Sequence, residues 1–372
     1  MRKIGYLGPR GTFSDQAALQ YLGEEQAELV PCNTLEDVCR SVIEGICSEG
    51  ILPIENLIEG SVNPVLDLLL ETPQVTIQAE FMLPVAHYLL APSERSLSEI
   101  KTVLSHPQAL SQCRQYLANH LPQAILVPVE STALAAKRLV EEGGHGMAAI
   151  APLASANRYG LAILDKNIQD QPHNCTRFVV IGTEPVPMKN DTYKTSLAVS
   201  AIDCPGALHS ILKEFAWQGI NLTRIESRPA KTYLGEYIFY IDLEGHRCQP
   251  EVAEVLQKLA DESRGISILG SYPASRRLQG QEPEPSMATL QSLRSDIDLI
   301  DRQLVQLLGK RLKLVKRVGE LEQQQGSVKE PSPPKEQQVQ VAAIRQLAVQ
   351  QGLSPDVVEK SYRLLLDYFV QI

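Results

Sequence analysis

An α/β protein in three parts is predicted: parallel sheets with helices on both faces, then a ferredoxin-like module, then an all-helical end. Three observations predict this. Over residues 1–183, short apolar runs alternate with amphipathic stretches, the pattern of a parallel sheet wound by helices. Over residues 194–273 the order reads strand, helix, strand, strand, helix, strand. Over residues 286–372, Leu290, Leu293, Ile297, Ile300, Leu304 and Leu307 step by three and four, as a helix with one apolar stripe requires.

The 372 residues are 44% hydrophobic and 21% charged, which is enough for ordinary cores and too apolar for disorder. A net charge of −9 argues against a general nucleic-acid binder. The local basic cluster Lys310, Arg311, Lys313, Lys316 and Arg317 has the pattern of a solvated helix face. Seven cysteines without a Cys-x-x-Cys pair suggest neither a disulfide framework nor a zinc knuckle. The start Met1-Arg2-Lys3-Ile4-Gly5 breaks too early for a signal peptide. The apolar run near residues 81–92 carries Pro84 and His87 and is too short for a bilayer. A cytoplasmic protein that binds neither membrane nor nucleic acid is expected.

In order, residues 4–7, 50–54, 102–104, 125–129 and 148–151 read as buried strands. Residues 35–46, 107–117 and 132–140 read as the helices between them, with Thr34 and Ser14 as expected caps. The Pro-rich stretch Glu184-Pro185-Val186-Pro187 separates the second part. Its strands are read at 195–201, 220–228, 233–242 and 266–269, with a helix opening at Pro205-Gly206 and another near 251–259. A linker near 276–285 precedes a helix expected to run to about Gln325. Two shorter helices follow, near 336–350 and 355–370.

Several polar groups fall where α/β sheets keep their ligands, at the carboxyl ends of strands. Gly8-Pro9-Arg10-Gly11-Thr12-Phe13-Ser14 leaves the first strand for a helix and suits an anion at a helix N-terminus, or a plain turn. It lacks the lysine and spacing of a nucleotide loop. Pro53-Ile54-Glu55-Asn56 ends a strand with an acid and an amide, and Gly60-Ser61-Val62 follows. Ser105-His106-Pro107-Gln108 and Ser131-Thr132-Ala133 lie at further strand-to-helix junctions, where a cap is the plainer reading. Asn174-Cys175-Thr176-Arg177-Phe178 enters the apolar run Val179-Val180-Ile181. It brings a hydroxyl beside a guanidinium able to grip a carboxylate.

Gly-Pro-Arg-Gly-Thr-Phe-Ser, Pro-Ile-Glu-Asn, Ser-His-Pro-Gln-Ala-Leu, Ser-Thr-Ala and Thr-Arg-Phe occur together, and in this order the chain resembles the prephenate dehydratase family over residues 1–183. Leu57 departs from the family's usual Ser after Glu-Asn. The resemblance implies a two-lobed catalytic domain of periplasmic-binding-protein-like form that dehydrates and decarboxylates prephenate, and because this loss aromatises the ring, no metal and no cofactor are expected. It assigns Thr176 to catalysis beside the leaving hydroxyl and Arg177 to a carboxylate or to orientation. A threonine hydroxyl is a poor acid, so a relay through Glu55 or His106 is expected. Arg10, Thr12, Phe13, Asn56, Ser105, His106, Gln108, Ser131, Thr132, Asn174 and Phe178 are the substrate-binding candidates the motifs supply.

Gly206-Ala207-Leu208 and Glu226-Ser227-Arg228-Pro229 resemble the two signatures of the phenylalanine-binding ACT domain fused to these enzymes. L-Phenylalanine is thus expected as effector, in a homo-oligomer, dimer or tetramer. Residues 287–372 resemble the all-helical chorismate mutases, with Arg294 and Arg311 at the positions of two substrate-binding arginines. That family's ether-oxygen lysine falls on Glu322, which reverses the local charge. A dimerising appendage is the expectation, an active mutase the alternative. Arogenate is a second possible substrate. A ligand sensor without catalysis would also suit two α/β lobes with an ACT module, but has no need of Thr-Arg-Phe together with Pro-Ile-Glu-Asn.

Overall fold

The computed structural model describes residues 2–189, 192–202, 204–231, 233 and 236–275, and in the helical end residues 301, 305, 308–309, 311–313, 315–318, 334–350 and 352–370. The chain forms two compact units, Met1–Gln279 and Gly280–Ile372.

The first unit begins with β1 (Lys3–Leu7), α1 (Phe13–Leu22), β2 (Glu28–Cys32), α2 (Leu35–Ile43), β3 (Glu49–Asn56), β4 (Gly60–Ser61), α3 (Asn63–Glu71) and β5 (Thr76–Pro84). Then come β6 (Tyr88–Ala91), β7 (Thr102–Ser105), α4 (Pro107–Gln112), α5 (Arg114–His120), β8 (Ile125–Pro128), α6 (Thr132–Glu141), β9 (Met147–Ala151), α7 (Leu153–Tyr159), β10 (Ala162–Lys166) and β11 (Cys175–Gly182). Two lobes result. Lobe 1 holds the sheet β2-β1-β3-β11-β5, with β4 paired to β3, and lobe 2 the sheet β10-β6-β9-β7-β8. The chain crosses into lobe 2 after β5 and returns with β11. The two crossings run side by side, Val85 N donating to Asn174 O at 2.8 Å and Ile168 N to His87 O at 3.0 Å.

Each sheet has the expected parallel core. Strands β1, β2 and β3 are parallel, as are β7, β8 and β9, and antiparallel strands complete both sheets. Lobe 1 buries Ile4, Tyr6 and Phe178 against α1 on one face, and Leu52, Val179 and Ile181 against α2 and α3 on the other. The apolar runs read from the sequence are therefore covered on both sides, which explains why they do not alternate with polar residues. Two expectations are corrected. The helix predicted over 107–117 is two helices broken at Cys113, and α1 is capped by Thr12, whose side chain accepts from Asp15 N, not by Ser14.

The ACT-like module comprises β12 (Tyr193–Ser200), α8 (Ala207–Trp217), β13 (Leu222–Pro229), β14 (Tyr237–Glu244), α9 (Pro250–Glu262) and β15 (Gly265–Pro273). Its antiparallel sheet runs β13-β14-β12-β15, the ferredoxin-like order. One face packs Leu197, Val199, Ile241 and Leu243 under α8 and α9. The other shares a core with lobe 1, where Ala198, Tyr240, Leu269 and Tyr272 join Val179 and Ile181. At Gly270 a β-carbon would meet the backbone oxygen of Ile77 at 2.4 Å, so β15 crosses β5 with no room for a side chain. The sheet of this module thus rests directly on the sheet that contains β11.

In the second unit, helices Pro334–Gln350 and Pro355–Val370 fall where expected. Arg311 lies over the ring of Tyr362, 5.8 Å from its centroid, and Arg294 and Glu322 are outside the described residues.

Candidate active site

A cleft of ≈390 Å³ lies between the lobes, within the range of about 300–1,000 Å³ usual for small-molecule sites. Its walls include the carboxyl ends of β1 and β3, the amino end of antiparallel β11 and the starts of helices. From lobe 1 come Thr12, Phe13, Asn56, Ser61, Asn174, Thr176 and Phe178; from lobe 2 come His106, Gln108, Gln112, Ser131 and Thr132. Among the described lining residues there is no arginine or lysine. The lining also carries the carboxylates of Glu59 and Glu130, so the donors available to an anion are the helix starts and neutral side chains. Thr12 and Ser131 cap α1 and α6, accepting from Asp15 N and Leu134 N, while first-turn N–H groups of a helix have no intrahelical acceptor. His106 caps α4 in the same way, its Nδ1 accepting from Gln108 N at 3.3 Å. In a neutral ring this puts the proton on Nε2.

The hydrogen bonds around Thr176 fix the direction of its proton. Asn56 Oδ1 accepts from the backbone N–H groups of Ile58 and Glu59 at 3.0 and 3.1 Å. Its amide nitrogen therefore faces the other way and donates to Thr176 Oγ1 at 2.9 Å. With Asn56 as the donor, Thr176 keeps its own O–H for something in the cleft.

Nearby polar groups lack protein partners. Both amide atoms of buried Asn174, and Nδ1 of His87, make no hydrogen bond among the described residues. Each such group costs about 1–3 kcal/mol when left unpaired, so a cluster of them in a cleft marks a surface made for a polar ligand. Burial pushes the His87 imidazole below its ordinary pKa, against the opposing hydrogen bond to Gln112 Oε1 (Nε2 at 2.8 Å). Gln112 Nε2 in turn donates to Glu59 Oε1 at 3.3 Å, linking the lobes across the cleft.

Four expected site residues lie elsewhere. Ser105 is buried and donates to Ile150 O at 2.6 Å, tying β7 to β9. Arg10 faces a separate surface depression beside Asp15 and Arg158. Arg177 points to the opposite face of β11 from Thr176, as the two-residue period of a strand demands. Its Nε donates to Glu80 Oε2 at 2.7 Å, Nη1 to Asp242 Oδ2 at 2.5 Å and Nη2 to Tyr272 Oη at 2.9 Å. Glu55 goes with it, 3.5 Å from Arg177 Nη1. Alternation from Pro53, which lines the cleft, would have turned Glu55 inward, but the register against β11 slips between Arg177 and Phe178. Opposite Arg177 and Phe178 stand Glu55 and Pro53, so Ile54 is the extra residue. Neither Arg177 nor Glu55 touches the cleft. Not singled out in the sequence were His87, Gln112, Glu59, Glu130 and Ser61; of these Ser61 lay in Gly60-Ser61-Val62 and Gln112 in the stretch that runs from Ser105 to Cys113, while the others lay in no motif.

In the regulatory signatures, Gly206 begins α8 with φ +90°, and Gly206, Ala207 and Leu208 line a ≈260 Å³ depression with Tyr237 and Phe239. Glu226 and Arg228 face the other way, onto lobe 1: Arg228 Nη1 donates to Asn63 O and to Asp67 Oδ1 at 2.8 and 2.6 Å. Ser227 and Pro229 are exposed.

Two lobes around a cleft lined by amides, hydroxyls and two histidines, with a ferredoxin-like module sharing the core of one lobe, define a two-lobed α/β protein built to hold a small molecule. The chain matches the prephenate dehydratase family over residues 4–186, the ACT domain over 195–261 and chorismate mutase type II over 293–372. It is 42% identical over 272 residues to a bifunctional chorismate mutase/prephenate dehydratase of Aquifex aeolicus, covering 73% of each chain. A prephenate dehydratase of Methanocaldococcus jannaschii is 42% identical over 277 residues, 73% of this chain and 98% of that one. The crystal structure of a prephenate dehydratase from Arthrobacter aurescens in complex with L-Phe superposes with a TM-score of 0.68 at 36% identity, covering 81% of this chain and 99% of that one. The protein belongs to the prephenate dehydratase family, with an ACT domain and a chorismate mutase type II domain.

Proposed function

We propose that the cleft converts prephenate to phenylpyruvate, water and carbon dioxide, with Thr176 as the group that protonates the departing hydroxyl. The observation that carries this reading is the Asn56 donation, which leaves the Thr176 proton free to be given away. Prephenate has two carboxylates, a 1,4-cyclohexadiene ring and a ring hydroxyl. As the bond to the ring carboxylate breaks, its electron pair enters the ring, the C–O bond at the opposite carbon breaks, and the ring becomes aromatic. The hydroxyl leaves with a proton as water. No external electron donor or acceptor enters the balance. The protein's part is to hold the dianion and to place a proton donor at the leaving oxygen. The starts of α1 and α6, with Asn174, supply donors for the carboxylates. His106 Nε2–H, on the facing lobe, is the remaining candidate to restore the Thr176 proton, Glu55 having turned away.

The depression at Gly206 to Leu208, next to exposed Ser227, is the proposed place for an aromatic amino-acid effector, L-phenylalanine. A homo-oligomer pairing ACT modules, in the cytoplasm, completes the proposal. Phenylpyruvate release by the full-length protein tests it, with prephenate and arogenate compared and L-phenylalanine added. Turnover of prephenate that falls with L-phenylalanine is expected. No phenylpyruvate from prephenate would overturn the reading.

A further inference from the structure

The ACT strand β13 reaches the lining of the substrate cleft. Alternate residues Arg224, Glu226 and Arg228 of this strand face lobe 1, and what they grip is the segment β4–α3. Ser61 of β4 lines the cleft. Its Oγ accepts from Arg224 Nη2 at 2.5 Å and donates to Glu226 Oε2, while Arg224 Nη2 also donates to that same carboxylate oxygen at 2.6 Å. A serine hydroxyl has one proton. Here it is spent on Glu226, on the protein side, so Ser61 offers the cleft only an oxygen. Asp67 holds the rest of the segment to the same strand and the turn after it, accepting from Arg228 at 2.6 Å and from Lys231 at 2.7 Å, so Ser61 is not free to rotate away with β4.

We infer that Ser61 is a substrate-binding residue whose donor is switched by the regulatory module, with Glu226 and Arg224 as its positioning residues. When Glu226 holds the hydroxyl, an anionic substrate meets a lone pair; when β13 shifts and releases it, the same hydroxyl turns into the cleft and donates to a carboxylate. The direction of control follows from this: any effector that tightens β13 on β4 weakens prephenate binding and leaves the chemistry at Thr176 alone. The inference rests on the cleft being the prephenate site and deepens the proposed regulation.

The test is a double-mutant cycle on the full-length protein with Glu226→Ala, Ser61→Ala and both, reading kcat and KM for prephenate. Glu226→Ala should lower KM by about threefold or more with kcat nearly unchanged. That gain should largely vanish in the Ser61→Ala background and survive in Ser61→Thr, which keeps a hydroxyl. Loss of Glu226 also leaves Arg224 less neutralised, which would lower KM in either background. An equal drop with and without Ser61 would therefore overturn the proposal. So would a Glu226→Ala protein, shown by calorimetry to bind L-phenylalanine, whose KM still rises as much with L-phenylalanine as the wild type's. If the wild type neither binds nor responds to L-phenylalanine, the effector assignment fails separately, and the prephenate cycle still decides the role of Ser61.

Discussion

Thr176 and Arg177 are neighbours on β11 that serve opposite faces of one sheet. Thr176 opens on the cleft beside Asn56, while Arg177, with its side chain 5% exposed, closes a buried cluster with Glu80 and Asp242, 1% and 2% exposed. The cluster extends through Ser196, which donates to Asp242 Oδ1 at 2.5 Å, and Lys194, which pairs with Glu80 at 2.7 Å. Burial alone would lower the Arg177 pKa, but Tyr272, Asp242 and Glu80 more than offset it and raise it. The residue next to Thr176 is thus the bolt between lobe 1 and the ACT sheet.

Replacing the hydroxyl separates chemistry from fold. Thr176→Ala should lower kcat by about 10²-fold or more, the range for a positioned proton donor, with the thermal midpoint little changed. Thr176→Ser keeps the O–H and the Asn56 contact, and should retain much of the activity. An alanine variant at the wild-type rate would remove Thr176 from the reaction.

Replacing the guanidinium should do the reverse. Arg177→Met leaves buried Asp242 without its ion-pair partner and Glu80 with Lys194 alone, and removing one partner of a buried pair costs about 3–5 kcal/mol. Denaturant unfolding should therefore show a large loss of stability. The same cluster sets an acid limit. Burial would raise the Asp242 pKa, but Arg177 and the Ser196 hydrogen bond bring it below the ordinary value. A carboxyl depressed in the folded state stabilises above its unfolded pKa of about 3.9 and loses that contribution as pH falls through the folded value. Arg177, with its pKa raised, stays charged throughout this range. Asp242→Asn should be less stable at neutral pH and show a flatter decline between about pH 5 and 2. A variant with the wild-type slope would show that the cluster does not govern acid unfolding.

The interface between sheets makes a third prediction. A methyl group at position 270 would collide with the Ile77 backbone, which no rotamer change relieves. Gly270→Ala should cost about 1–3 kcal/mol or more and loosen β15 from β5, with faster amide exchange there. Exchange unchanged from wild type would mean the strands tolerate separation without loss.

Where the sequence was legible, periodicity and motif position carried the information. The apolar runs at 50–54 and 148–151 became β3 and β9, and the caps Thr34 and Ser131 hold helices as expected. Thr176, Asn56, His106 and Ser131 converge because Asn56 ends β3, His106 and Ser131 follow β7 and β8, and Thr176 lies at the start of β11, which runs antiparallel to β3. Arg177 and Glu55 were misread because a motif records adjacency in the chain and not the face of the strand. Alternation excludes Arg177 once Thr176 is placed; the slip at Ile54, which no residue type announces, excludes Glu55. Glu226 and Arg228 were misplaced likewise, since the face of β13 that meets lobe 1 depends on a docking between distant segments.

The helical end carries the last prediction. It matches chorismate mutase type II over residues 293–372, and Arg294 and Arg311 stand at the sequence positions of the two arginines expected to meet a second dianion. Binding the ground state is not catalysis: the rearrangement of chorismate needs a donor that strengthens on the ether oxygen as negative charge develops there. By its spacing from Arg294, Glu322 occupies the position of the lysine that would serve, and an ionised carboxylate repels that charge. The full-length protein should therefore form little or no prephenate from chorismate at neutral pH, and removal of residues 287–372 should alter the oligomeric state and spare the dehydratase. Glu322→Lys restores the sign of the local charge and should raise whatever mutase rate exists. A wild-type mutase turnover of several per second, on the scale of about 1–10³ per second usual for enzymes, would overturn this and make the protein bifunctional.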